Sequence, residues 1–320
     1  MRHTIPAALA FALALPAAAQ ETFPSKPITL VVPFAAGGGT DVIARLLAEG
    51  ITQKFGQNVV VENRAGAGGI VANKAVIAAP ADGYTVLIGT AGTQAAGPAF
   101  NPNSGFNPLL DLVPVARLGT TPNLLVVHPE VPARSVPELV ALARQKPTSL
   151  SFASSGQGTV SHLSALLFGR LAKIEMTHVP YRGAGPANND LVAGQVQAMF
   201  DVPITLLPLV RAGKLRVLAV TTKSRFSALP DVPALREVGF PDYESELWIG
   251  LFAPRATPEA VVKRIAAVFL EVLDQNEVGE RMTQLGFERA AGDGKALHEI
   301  LRADHERWRR LMSETGVKPE

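Results

Sequence analysis

The sequence predicts a two-lobed α/β protein, each lobe a mixed, mostly parallel sheet flanked by helices, with a two-strand hinge between them. Three observations lead there. Short apolar runs of strand length alternate with helical periodicity along nearly the whole chain, as in sheets covered by helices. Two glycine-rich turns, each between an apolar strand and an amphipathic helix, lie about one domain length apart. The 320 residues also exceed what one hydrophobic core commonly organises, so two cores are the default.

The elements follow in order. Arg2 and His3, the apolar run Ile5 to Leu15 and the small residues Ala17-Ala18-Ala19 read as a cleavable signal peptide over 1–19. An uncleaved anchor helix is the alternative, and the run is short for a bilayer span. Strands are predicted at Ile28–Val32, Val59–Glu62, Thr85–Ile88, Leu124–Val127, Leu150–Ala153, Thr177–Val179, Ala198–Phe200, Arg216–Val220 and Leu247–Phe252. Helices are predicted at Asp41–Lys54, Ser135–Lys146, Thr159–Leu171 and Ile204–Ala212. Ser135-Val136-Pro137-Glu138 is a capping box with proline in the first turn. Thr257-Pro258 opens another helix, and a last one carrying Leu297, Ile300, Leu301, Trp308 and Leu311 packs back on an earlier sheet. Asn101–Pro114 and Ser227–Pro241, rich in turn residues, read as crossings between lobes. Residues 20–121 with 236–320 then form the first lobe and 122–235 the second, an arrangement that closes around a ligand.

Composition narrows the chemistry. The 47% hydrophobic residues supply two cores, and with no cysteine there is neither a disulfide nor a thiolate. The net charge of +2 gives no basic face for nucleic acid and no polybasic segment for anionic lipid. The six histidines show no His-Glu-x-x-His spacing, so no metal is expected. No carboxylate pair stands out as an acid and base, and no cofactor is expected.

What remains is backbone. The first turn runs Phe34-Ala35-Ala36-Gly37-Gly38-Gly39-Thr40-Asp41 and the second Ser154-Ser155-Gly156-Gln157-Gly158-Thr159. Each ends at a helix N-terminus, whose unpaired N–H groups hold anions. Two such termini facing each other grip a small carboxylate from both sides. The bland account is a pair of ordinary βα turns. Thr40 or Asp41 is read as a helix cap, and Asp41 more as a cap than a contact, since its charge repels a carboxylate. Ser154, Ser155 and Thr159 add hydroxyl donors. His162, a turn further on, is either a donor to the ligand or a satisfied helix histidine. Gly156-x-Gly158-x-x-Ser161, with Glu175 beyond, is a weak dinucleotide fingerprint lacking its third glycine. A serine hydrolase elbow lacks its leading glycine at Ala153.

Further candidates are Thr90 at a strand end, and Tyr181, Gly183 and Ala184 around Arg182, whose charge either meets an anion or faces solvent. Asp201 either recognises a ligand amine or caps the next helix, and Trp248 either roofs the pocket or is core. A bulky residue at Gly38 or Gly156 is expected to abolish binding without unfolding the chain.

Several motifs match a known family. Lys26-Pro27-Ile28-Thr29-Leu30-Val31-Val32-Pro33-Phe34 leading into Gly37-Gly38-Gly39-Thr40-Asp41 resembles the opening of the Bug (TctC-like) family, solute-binding proteins of tripartite tricarboxylate transport systems. So do Asn63-Arg64-Ala65-Gly66-Ala67-Gly68-Gly69, Ala81-Asp82-Gly83-Tyr84-Thr85 and His178-Val179-Pro180-Tyr181-Arg182-Gly183. Gly213 to Thr221 and Leu229-Pro230-Asp231-Val232-Pro233 continue the match over essentially the whole chain after residue 19. The resemblance implies a type II-like periplasmic binding protein in which backbone amides from one strand–helix junction per lobe clasp a carboxylate. Those junctions correspond to Phe34 to Asp41 and Ser154 to Thr159, with Tyr181 to Ala184 and Asp201 as neighbours. Ala36 stands where the family often has proline, and Ile70-Val71-Ala72 replaces a common Asn-Ile-Gly. The implied partners are a small carboxylate and membrane permease subunits, with the protein itself a monomer. A sensory role toward a membrane kinase is the alternative, and an exported hydrolase using His162 with Ser154 or Ser155 is the third reading.

Overall fold

The computed structural model describes residues 23–146, 150–226, 228–243 and 245–315, so the signal-peptide expectation lies outside the described residues. Two sheets organise the chain, most strands set by an apolar run. The first sheet orders its strands Glu288–Asp293, Leu112–Pro122, Glu246–Pro254, Thr85–Thr90, Ile28–Val32 and Val59–Asn63, and the second Thr177–Pro180, Ser151–Ser154, Ala198–Asp201, Leu124–Val127 and Arg216–Val220.

The first sheet begins with β1 (Ile28–Val32), followed by α1 (Gly39–Phe55), β2 (Val59–Asn63), α2 (Ile70–Ile77) and β3 (Thr85–Thr90). Ile43, Leu46, Leu47 and Ile51 recur at helical spacing on α1 and bury one face among Ile28, Leu30, Val32 and Ile88. Gly56 stops α1 in the left-handed region (φ 68°), its N–H bonded to the Thr52 carbonyl. A π-helical turn at Ala91–Ala96 leads through the short helices α3 (Gly97–Phe100) and α4 (Pro108–Asp111) into β4 (Leu112–Pro122).

After β4 the chain enters the second sheet through β5 (Leu124–Val127), α5 (Val136–Gln145), β6 (Ser151–Ser154), α6 (Val160–Ala172) and β7 (Thr177–Pro180). It continues through α7 (Ala184–Val192), β8 (Ala198–Asp201), α8 (Pro203–Arg211) and β9 (Arg216–Val220). Ser135 caps α5 by accepting from the Glu138 N–H, but the Glu138 carboxylate reaches back to Arg134 rather than to Ser135. Phe152, Phe168, Phe200 and Tyr243 are fully buried in this second core. Each such side chain contributes about 1.5–3 kcal/mol of burial. Residues 235–243 still belong to that core through Leu235 and Tyr243.

The chain returns through β10 (Glu246–Pro254), α9 (Glu259–Leu273), α10 (Asn276–Gln284), β11 (Glu288–Asp293) and α11 (Gly294–Thr315). Leu297, Leu301 and Trp308 on α11 pack with Phe252 and Phe100. Among the described residues no helix is long and apolar enough to cross a membrane.

All nine predicted strands form: three keep their bounds, five are longer, and one is shifted by a residue to Ser151–Ser154. The sheets are mixed but less parallel than expected: four of nine pairings are parallel. The antiparallel pairings have two sources: β4, absent from the prediction, pairs antiparallel with β10 and β11, and strands β10 and β5 run antiparallel to β3 and to β8 and β9 respectively. Asn101–Pro114 is accordingly not a crossing; it holds α4 and the start of β4.

The chain changes sheets at Pro122–Leu124 and again after β9, and these two passages are tied together. Asn123 N–H donates to Thr221 Oγ1 (2.9 Å), Thr221 N–H to the Asn123 carbonyl (3.0 Å), and Thr221 Oγ1 to the Ser245 carbonyl (2.6 Å). Ser164 Oγ bonds Ser245 Oγ at 2.7 Å, and all four residues are buried.

Candidate functional site

Between the two sheets lies a cleft with about 600 Å³ of empty space, counting the solvent at its mouth. Four helices begin on its wall, placing Gly38, Gly39 and Thr40 of α1, Thr159, Val160 and Ser161 of α6, Ala184 of α7, and Val202 and Ile204 of α8 around one space. The first N–H groups of each lack an intrahelical carbonyl, so the positive ends of four helix dipoles converge. The sequence marked the starts of α1 and α6 as the two grips and named Ala184 and Asp201, beside the starts of α7 and α8, as neighbours; the structure brings all four onto one wall. Three of the four, α1, α7 and α8, carry no side-chain cap.

The caps differ from those expected. Gly38, not Thr40 or Asp41, is the N-cap of α1. Asp41 sits in the first turn and points back behind the loop, away from the cavity. Its Oδ2 accepts from Gly37 N–H (2.9 Å) and Arg45 Nε (3.0 Å), and its Oδ1 from Asn63 Nδ2 (2.9 Å). Burial alone would raise this acid, but the bonds from Arg45, Gly37 and Asn63 outweigh it and hold the carboxyl below its usual range. Asn63 Nδ2 also donates to the Phe34 carbonyl (3.0 Å), so Asp41, Arg45 and Asn63 together brace the first turn. Val202 rather than Asp201 caps α8.

Of the predicted residues, Phe34, Gly38, Thr40, Thr90, Ser155, Thr159, Ala184 and Asp201 line the cavity. Thr90 is also occupied locally, in a reciprocal pair of bonds with Thr93. Ser155 and Phe34 continue into an outer groove with Gly156, Tyr181 and Arg182, and Gly158 faces a separate hollow beside Phe100. Burial and Asp190, whose Oδ2 accepts from the Tyr181 hydroxyl, push Tyr181 up to about 12. Ala35 and Gly183 form one of the contacts between lobes. Ala35 N–H donates to the Arg182 carbonyl (3.0 Å), and a Cβ on Gly183 would lie 3.0 Å from the Ala35 nitrogen. Gly37 spends its N–H on Asp41.

His162 and Ser154 stand behind the second turn, fully buried and off the cavity wall. His162 Nδ1 accepts from Gly158 N–H (3.1 Å) and its ring stacks on His178 at 4.0 Å. Burial, then the neighbouring His178, drive its pKa down to about 3, so the ring is neutral. Its Nε2 has no hydrogen-bond partner. Ser154 Oγ pairs with His178 Nε2 (2.7 Å), not with His162, and at 0% exposure it meets no substrate. Trp248 is core, its Nε1 donating to Asp304 Oδ2 (2.9 Å).

Residues outside the prediction complete the wall. Ile43, Leu247, Ile249, Phe287, Val202 and Ile204 give it an apolar floor, and Thr121 and Asn123 come from the first crossing. Leu247 and Ile249 alternate on one face of β10, a period-two signal present in the sequence but shared with any core strand. Gly39 is a close approach between lobes: a Cβ there would lie 2.5 Å from Ile204 Cγ2 and 2.6 Å from Val202 Cγ2. The wall carries one ionisable side chain, Asp201, 5% exposed, which burial pushes up to about 7. Among the described residues no cluster of His, Cys, Asp or Glu could hold a metal ion.

A family model described as the tripartite tricarboxylate transporter family receptor matches residues 43–317. A protein of Pseudomonas sp. (strain P51), named for the tcbD-tcbE intergenic region, is 41% identical over 295 residues, covering 92% of this chain and 88% of that protein. A solved R. palustris protein with adipate superposes with a TM-score of 0.89 at 36% identity, covering 93% of this chain and all of that one. The periplasmic binding protein BugD superposes with a TM-score of 0.90 at 33% identity over the same shares. The chain therefore belongs to the tripartite tricarboxylate transporter receptors, a family of periplasmic solute-binding proteins rather than of enzymes.

Proposed function

We propose that this protein captures a small organic acid with an apolar body between its lobes and delivers it to a membrane permease. The observation that carries this is the cavity wall: four helix N-termini, no lysine, arginine or histidine, and an apolar floor. Such a wall holds one carboxylate by backbone N–H groups and dipoles and takes a hydrocarbon body by burial. Adipate in the R. palustris neighbour is a ligand of that class.

The lobes swing about the passages at 121–123 and 221–245, and the guest stabilises the closed form by its differential affinity for it. Export through a signal peptide over residues 1–19, action as a monomer, and transfer to the permease of a tripartite system complete the reading.

A thermal-shift screen tests it. The panel is linear dicarboxylates from succinate to suberate, aliphatic monocarboxylates, benzoate, amino acids and, as neutral controls, the matching diols. A bound acid at about 100 times its dissociation constant adds about 2.7 kcal/mol. Stabilisation by acids and not by diols supports the reading; diols matching the acids, or no acid binding, overturns it.

A further inference from the structure

Asp201 closes β8 and is the one ionisable side chain on the cavity wall. A carboxylate there stands in low-dielectric space with no cation beside it, facing a guest of its own sign. Ionisable groups on the elements packed around it are Asp41, Arg45, Glu49 and Lys54 on α1, His162 and Arg170 on α6, Asp190 on α7, and Arg211 on α8. None of them lines the cavity. Burial sets the behaviour of the Asp201 carboxyl, against smaller opposing bonds from Val202 and Thr205.

The Phe200 and Val202 carbonyls next to it each already accept a side-chain donor. Ser161 Oγ donates to the Phe200 carbonyl, and the Thr205 hydroxyl is shared between Asp201 Oδ2 (3.2 Å) and the Val202 carbonyl (3.2 Å). An ammonium group brings three donors to this corner, where the two nearest carbonyls each already accept a hydroxyl. A carbonyl or carboxylate oxygen needs only one donor, and a protonated Asp201 is one.

Resting on the carboxylate reading above, we propose that Asp201 works as a neutral acid donating its proton to a second oxygen of the guest. The ligand class is then an acid with an oxygen acceptor at each end of an apolar body. The proton comes from solvent, so capture takes one up and tightens as pH falls. A group that titrates near neutrality when the cavity is empty makes this coupling visible at ordinary pH.

Calorimetric titration of the native protein, Asp201→Asn and Asp201→Ala tests it, using the dicarboxylates from succinate to suberate, aliphatic monocarboxylates, benzoate and 6-aminohexanoate. For the native protein, dicarboxylate affinity falls about tenfold between about pH 6 and pH 8, and about half a proton is taken up per ligand near pH 7. Asp201→Asn, which keeps a neutral N–H donor, shows a flat profile and binds more tightly than the native protein at the higher pH. Asp201→Ala binds weakly at both. The variants share any titration of the ligand, so the difference in slope belongs to Asp201. Equal native affinity at both pH values overturns the proposal. So does tighter binding of 6-aminohexanoate that Asp201→Asn abolishes, or binding confined to monocarboxylates. Those results leave the carboxylate reading standing; a panel in which no acid binds removes that reading and this one together.

Discussion

The two glycine-rich turns share a plan, strand into turn into helix, and differ in what satisfies the backbone. At the second turn the chain satisfies itself. Gly156 N–H goes to Ser154 Oγ, Gly158 N–H to His162 Nδ1, Thr159 N–H to the Gly156 carbonyl, and Thr159 Oγ1 caps α6. At the first turn the support comes from behind, where Asp41 receives Gly37, Arg45 and Asn63, and the cap position is a bare glycine. One turn is a finished shape; the other is a braced frame whose front N–H groups are left for a guest. The starts of α1, α7 and α8 carry no side-chain cap, whereas Thr159 caps α6.

Gly39 offers the largest test of that division. It lies within α1, so a side chain suits its own helix, but any Cβ meets Ile204 and Val202 of the other lobe. Gly39→Val should weaken acid binding at least about 100-fold, roughly 3 kcal/mol, by calorimetry, while circular dichroism shows the fold intact. Affinity within a few-fold of native would mean closure at Gly39 is not what binding requires.

Asp41 comes next. Asp41→Ala removes three hydrogen bonds and leaves Arg45 and Asn63 without their carboxylate, costing about 2–3 kcal/mol by denaturant titration. The acid also carries a pH signature. Its folded pKa is depressed, so its stabilisation is present above the unfolded value near 3.8 and is lost as pH falls below it. Asp41→Asn should flatten that part of the acid limb, and an unchanged limb would remove the brace from the first turn.

His162 makes the matching statement for the second turn. A buried neutral histidine with a folded pKa of about 3 lets the unfolded chain bind the proton first. Stability then falls as pH drops below about 6.5, by up to about 1.4 kcal/mol per unit until the folded pKa is reached. In His162→Asn that slope between about pH 6 and pH 4 should shrink. The two turns thus titrate in separate windows, His162 above and Asp41 below, which lets their contributions be read apart in one acid series.

How much of this was legible follows from what each feature is made of. Both turns announced themselves because glycine clusters and a Ser-Thr run are residue-type signals, and every strand built on β-branched runs was found. β4 was not, because Pro114, Arg117 and Gly119 interrupt it, and its pairing with β10 is irregular at Ile249/Gly250. β11, reading Glu-Arg-Ala-Ala-Gly-Asp, has no β-branched residue and forms only as an edge against β4. In the site, Asp201, Thr159 and Gly38 were visible as polar or glycine residues at element ends. Ile43, Ile249 and Phe287 were not, since a residue flooring a cavity carries the same pattern as one filling a core. The reading of Asp41 as the cap of α1 was overturned for a different reason: Arg45 at i,i+4 was a visible partner, but Asn63 comes from the neighbouring strand and no local spacing announces it.

Thr159 gives a smaller effect. Thr159→Ala removes the cap of α6 and should cost about 1 kcal/mol of stability. Affinity should move less than stability does, since Gly156, Gly158 and Thr159 spend their N–H groups within the turn. A loss of affinity exceeding the loss of stability would place the second turn alongside the first as an anion holder.

The smallest expected effect is at Gly38, and it sharpens the comparison most. Sequence reasoning expected any bulky residue there to abolish binding. The structure narrows that expectation: Gly38 has φ −79°, open to any L-residue, and a Cβ would lie 3.6 Å from the Ala35 carbonyl and 3.8 Å from Ala184 Cβ, ordinary contact distances. Gly38→Ala should therefore bind acid within about twofold of native, under about 0.4 kcal/mol, whereas Gly38→Ser should place a hydroxyl at the cap and compete with the guest for the N–H groups of α1. If alanine and serine weaken binding alike, bulk is what matters at Gly38 and the bare cap is incidental; if serine alone weakens it, the uncapped terminus is the feature the guest uses.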